Sequence, residues 1–212
     1  MEAASIYATR SQSLQNSEPE WLFPPAHTAA RSIGIYHLTI FLSAFLLFQV
    51  EPILVKYLLP WFGGTSAVWT TSLLFFQLVL LAGYAYSHIV GTQMRPGKQA
   101  WSHITLVLVS LLLMGATALA WRSPITPGAN WQPADADSPV LHLLALLTVS
   151  IGLPYFVLSA TAPLLQSWFA CEYRGVSPYR LYSLSNLGSL LALVSYPFLV
   201  EPNLSVRSQA LI

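Results

Sequence analysis

Charge is what this sequence has least of. Asp, Glu, Lys and Arg make up 8% of its 212 residues, against roughly 25% in an ordinary soluble domain. A soluble fold of this size covers itself with polar side chains, and nine basic and eight acidic residues are too few for that. The scarcity therefore argues against a soluble globular enzyme. A net charge of +1 removes any bulk electrostatic case for nucleic acid. Cysteine is nearly absent as well. Cys171 stands alone, which excludes an internal disulfide and a multi-cysteine metal site. His27, His37, His88, His103 and His142 are scattered without metal-ligand spacing. No GxGxxG, GxSxG or HExxH string occurs. The stretch Gly91 to Lys98 reads GTQMRPGK, with five residues between its glycines rather than four, so it is not a phosphate-binding loop. No catalytic, cofactor or metal residue is expected.

What is there is apolar. Hydrophobic residues reach 55% and the mean hydropathy is +0.58, which points to lipid as the solvent. The stretches 32–50, 57–94, 99–121, 138–171 and 181–200 carry no Asp, Glu, Lys or Arg. Each is long enough for a membrane-crossing helix, which needs about 20 apolar residues. In the second, Pro60, Gly63 and Gly64 mark a turn. The expected spans are 33–50, 66–90, 101–121, 140–170 and 178–200. Unbroken runs such as ITLVLVSLLLMGATALA argue for helices rather than barrel strands. The expected fold is all-α, a polytopic transmembrane bundle of about five spans over 32–202. A polar cytoplasmic tail (1–31) precedes it, with WLFPP at 21–25 touching headgroups, and a short polar end (203–212) follows it.

With the N-terminus cytoplasmic, the inside segments hold Arg10, Arg31, Arg95, Lys98, Arg174 and Arg180, and the outside ones Lys56, Arg122 and Arg207. That distribution follows the positive-inside bias. The outside loop 122–139 also carries Asp135 and Asp137. Most of the tryptophans, Trp69 among them, fall near span ends or in loops, as interfacial anchors do.

Several residues inside the spans are unusual. Gly152, Pro154 and Pro163 interrupt the fourth. Proline frees backbone carbonyls, which at membrane depth need a partner such as Ser159, Thr161, water or a ligand. Both an ordinary packed kink and a site-lining broken helix fit. In the fifth span Ser185 and Ser189, and Gly188 and Ala192, are four apart, a spacing that lets helices approach closely. Asn186 suits an interhelical hydrogen bond or a ligand. Glu51 and Glu201 each end a span before a proline, in the strings VEPIL and VEPNL, 150 residues apart. They read either as two border carboxylates in headgroup water or as a carboxylate pair facing a cation. The similar strings suggest an internal repeat.

Five strings carry a resemblance: FQVEPIL (48–54) running into KYLLPWFGG (56–64), VWT (68–70), GYAY (83–86), LPYFVLSATAPLLQ (153–166) and SPYRLYSLSNLGS (177–189). Together they resemble the N-terminal membrane region of bacterial fused transporter-like/spermidine synthase proteins. The resemblance implies part of a major-facilitator-type bundle in the bacterial inner membrane. It also implies a following aminopropyltransferase-like domain. This sequence stops at Ile212, before any such domain, so no catalytic residue carries over and the chain reads as truncated. The implied function is a membrane domain that anchors or serves a spermidine-synthase-like domain or subunit. The alternative is transporter-like binding or movement of a small organic cation such as a polyamine. Glu51 and Glu201 would then supply charge, and Trp69, Tyr84 and Tyr155 cation–π contacts. A third reading is a structural module pairing through the fifth span. Lipid is the expected surrounding, and five helices alone are expected to oligomerise.

Overall fold

The computed structural model describes residues 26–128, 131–132, 139–173 and 177–209. Residues 1–25 of the expected tail (1–31), Asp135, Asp137, Arg174 and residues 210–212 lie outside them, while 26–31 are not a loose tail but the start of a helix. Every regular element among the described residues is helical. Five helices are long and apolar enough to cross a membrane: α1 (Ala26–Phe62), α2 (Ser66–Gln93), α3 (Pro96–Trp121), α4 (Pro139–Glu172) and α5 (Tyr179–Asn203). A short turn, α6 (Val206–Gln209), follows. The chain divides into two compact units at Tyr36. Among the described residues the first unit is the opening stretch of α1, and the bundle belongs to the second, His37–Ile212.

The expected spans are extended at both EP strings. The first was expected to end at Val50, but α1 continues through Pro52 and Pro60 to Phe62. The residues after Pro52 are again mostly apolar, and a helix in lipid that stopped there would strand its last carbonyls. Gly63, at φ +81°, makes the left-handed turn that ends it, and its N–H donates to the Leu59 carbonyl at 2.8 Å. The fifth span, expected to end at 200, runs through Glu201 and Pro202 to Asn203.

Pro154, Pro197 and Pro202 are met by local widening, while Pro52 and Pro60 stay inside regular α1. A π-helical turn at Thr148–Gly152 directly precedes Pro154, and another at Tyr196–Val200 contains Pro197 and precedes Pro202. A wider turn gives the ring room that a regular turn denies it. Pro163 stays inside regular helix.

The solid core lies toward the end of the bundle that carries the 62–66 turn. Leu54 and Leu58 of α1, Phe76 of α2, and Leu143, Leu147, Ile151 and Tyr155 of α4 interlock there, with Tyr196 of α5. The rings of Phe76 and Tyr155 lie 4.8 Å apart. Helix α3 is patterned inside out relative to a soluble helix. Its buried residues are Gln99, His103, Ser110 and Thr117, while Leu112 and Leu119 are 74% and 87% exposed. That arrangement is costly in water and favourable in lipid, where a leucine loses nothing by facing out and a hydroxyl needs a partner within.

Two close approaches set the helix packing. Gly83 of α2 faces Ser159 of α4, where an added Cβ would overlap the serine hydroxyl. Gly188 of α5 faces α1, where a Cβ would stand 2.7 Å from the Phe41 carbonyl oxygen and 3.4 Å from Ala44 Cβ.

Candidate functional site: a polar cleft between the helices

Toward the opposite end, which carries the 93–96 turn, the bundle is hollow. A cleft lies between α1, α2, α4 and α5, with an inner part of about 200 Å³ and an outer part of about 470 Å³. Tyr84, Ala162, Ser185 and Asn186 line both. The inner floor adds Ala44, Leu47, Phe48 and Leu158. The outer mouth adds Pro163, Gln166 and Tyr182.

Helical periodicity builds these walls. Tyr182, Ser185, Asn186 and Ser189 follow one another at i, i+3, i+4 and i+7, one face of α5. Leu158, Ser159, Ala162, Pro163 and Gln166 form the matching face of α4. Gly83 and Gly188 bring the helices together on either side, so the cleft exists where the small-residue contacts leave off.

Pro163 belongs to this wall, and its missing N–H frees the carbonyl of Ser159, four residues back. The next carbonyl, that of Ala160, takes a donor from another helix that the sequence reading did not name. The Ser87 hydroxyl of α2 donates to the Ala160 carbonyl at 2.9 Å, and to its own Gly83 carbonyl at 2.9 Å. Ser159 and Thr161, the partners first expected, donate instead to Phe156 and Val157 of their own helix at 2.8 and 2.7 Å.

A second polar network fastens α3. Trp168 Nε1 of α4 donates to Gln99 Oε1 at 2.7 Å, and Gln99 Nε2 donates to the carbonyls of Met94 at 2.8 Å and Gly91 at 3.2 Å. One amide thus closes the α2–α3 turn and ties it to α4. His103 Nε2 meets Thr161 Oγ1 at 3.1 Å, and the Tyr86 hydroxyl meets Ser102 Oγ at 3.0 Å.

The residues singled out in the sequence are distributed unevenly. Tyr84 lines the cleft. Tyr155 is 2% exposed and stands one turn beyond the inner floor. Glu51 shares the α1 face of Ala44, Leu47 and Phe48. Trp69 is exposed on the first turns of α2, at the other end of the bundle. Glu201 is paired with Lys56 Nζ at 2.5 Å. The two carboxylates are therefore not a matched pair about one cavity. Gln166 and Tyr182 were not singled out in the sequence, and Ser185 and Ser189 stood out there only as a helix-packing spacing, although the spacing of all four on α4 and α5 was present. Among the described residues, no three His, Cys, Asp or Glu side chains come together to hold a metal.

No known protein family, curated protein or solved structure matches the chain.

Proposed function

We propose that this chain is the membrane domain of a bacterial spermidine-synthase-like protein, seated in the inner membrane, which anchors and serves an aminopropyltransferase-like domain outside this sequence. The observation that carries this reading is where the resembling strings fall. They are scattered along the sequence, yet Phe48, Tyr84, Ser159, Ala162, Gln166 and Asn186 come from them and line one cleft. With the N-terminus cytoplasmic, that cleft opens on the same side as a cytoplasmic synthase-like domain. The test is co-expression with a soluble aminopropyltransferase-like domain. The domain should fractionate with membranes only when this chain is present, and the purified chain alone should transfer no aminopropyl group from decarboxylated S-adenosylmethionine. Turnover by the isolated chain, or a domain that stays soluble beside it, overturns the proposal.

The cleft itself favours a second reading, the binding or movement of a small organic cation such as a polyamine. Tyr84 and Tyr182 offer aromatic faces, and Asn186 and Gln166 offer carbonyl oxygens within reach of one another's helices. Vesicles carrying the reconstituted chain should bind or take up labelled spermidine, and Tyr84→Ala should weaken this several-fold. Uptake equal to that of empty vesicles removes this reading.

A further inference from the structure

A carboxylate within a membrane span is costly unless something matches its charge. Glu51 is such a group. It lies eleven residues before the end of α1, about 16 Å inside the helix terminus. The nearby cation of the same helix, Lys56, is engaged by Glu201. Among the described residues Glu51 has no ion pair.

Its position is set by the helix. Ala44, Leu47 and Phe48 form the α1 side of the inner cleft, and Glu51 follows them at i+7, i+4 and i+3. On α4, Tyr155 precedes the lining residues Leu158, Ser159 and Ala162 by the same intervals. Glu51 and Tyr155 therefore each stand one turn past the inner floor, on the α1 and α4 faces that line it. Between them and Asn186 the walls are Ala44, Leu47, Phe48 and Leu158, with Ser159 and Ser189, whose hydroxyls donate to the Phe156 and Ser185 carbonyls of their own helices. Asn186 lies across from Ala162, seven residues along α4 from Tyr155, a separation of about 10 Å.

We propose that Glu51 is the anionic terminus of the cleft, and that the cleft takes an elongated monocation: a primary ammonium at Glu51, an apolar chain along the floor, and a neutral hydrogen-bonding group at Asn186. This rests on the cation reading above and narrows it. One unmatched carboxylate calls for one positive end, and Glu201, already neutralised by Lys56, takes no part.

The probes are amino-octanol, octylamine and the uncharged octanediol, titrated calorimetrically into the full chain in mild detergent. Amino-octanol should bind more tightly than octylamine, and octanediol should bind at least about tenfold more weakly than either. Glu51→Gln should weaken both amines about tenfold or more, Glu51→Asp should retain most of the affinity, and Glu201→Gln should stay within about twofold. Asn186→Ala should lower amino-octanol to the level of octylamine without changing octylamine. Each variant is compared only as a monodisperse species with the wild-type helical signal, and Asn186→Ala reads the site independently should Glu51→Gln fail to fold. If wild type binds no amine, the cation reading itself falls. If wild type binds amines and Glu51→Gln binds them equally, or octanediol binds as tightly as amino-octanol, this inference alone is overturned.

Discussion

Lys56 of α1 and Glu201 of α5 meet at 2.5 Å, so the two residues stand at one level of the bundle. That contact separates two strings that look equivalent in the sequence. Glu201 lies two residues from the end of α5, while Glu51 lies five residues deeper than Lys56, about 7.5 Å further into the bundle. The Lys56 and Glu201 side chains keep 32% and 44% exposure. Lys56→Met or Glu201→Gln is accordingly expected to cost no more than about 1 kcal/mol, read from thermal unfolding in detergent. A much larger loss would show the pair to be withdrawn from water.

Gly83 should tolerate nothing larger. Gly83→Ala drives a Cβ into the Ser159 side chain, 2.9 Å from its Cβ, and stands 3.0 Å from the Ala160 backbone nitrogen. The expected loss is about 1–3 kcal/mol. Adding Ser159→Gly should recover part of it, because the side-chain overlap goes and only the backbone contact stays. Gly115, with nothing within 4 Å of an added Cβ, is the control. Gly115→Ala should be neutral or slightly stabilising, as alanine is the better helix former.

Ser87 should tie α2 to α4. Removing its hydroxyl takes from the Ala160 carbonyl the donor that α2 supplies. Ser87→Ala should cost about 1 kcal/mol, and about as much beside Pro163→Ala, because the carbonyl that Pro163 frees is that of Ser159. A double-mutant cycle on unfolding midpoints reads the difference, and a clearly non-additive loss would mean that the serine and the proline act on one carbonyl.

The Gln99 amide joins three segments, so its loss should exceed that of its partner. Gln99→Leu strands the Trp168 N–H and two carbonyls, with an expected cost of about 1–3 kcal/mol. Trp168→Phe leaves Gln99 both of its backbone acceptors and should cost about 1 kcal/mol. The reverse order in thermal unfolding would place the anchor of α3 elsewhere.

Cys171, exposed near the end of α4 that carries the cleft mouth, reports the orientation. With the proposed cytoplasmic N-terminus, a membrane-impermeant maleimide should label it in inside-out vesicles and spare it in intact spheroplasts. The opposite pattern reverses the assignment.

Much of the fold was legible because it rests on local quantities. The charge-free stretches located all five apolar helices, and Gly63 and Gly64 located the first turn. The two EP strings misplaced span ends because each span was ended at its glutamate, where the charge-free stretch stops. In lipid, a helix that can widen by a π-turn or bend keeps its backbone bonds more cheaply than it abandons them. Gly188 stood out from its small-residue spacing, but Gly83 did not. Its meaning lies in Ser159, a residue on another helix. The cleft was half legible. Tyr84 and Asn186 drew attention by residue type, whereas Gln166 and Ser185 matter only because α4 and α5 turn those faces toward a shared space.

The sequence alone determined that this protein is built of apolar helices suited to a bilayer, since transfer from water to lipid depends on the side chains of each segment by itself. Only the tertiary structure decided that Lys56 neutralises Glu201 and not Glu51, and that Ser87 of α2 donates to the Ala160 carbonyl of α4. Those outcomes depend on how far one helix slides and turns against another. That is set by small-residue contacts between segments distant in the chain, which no local pattern encodes.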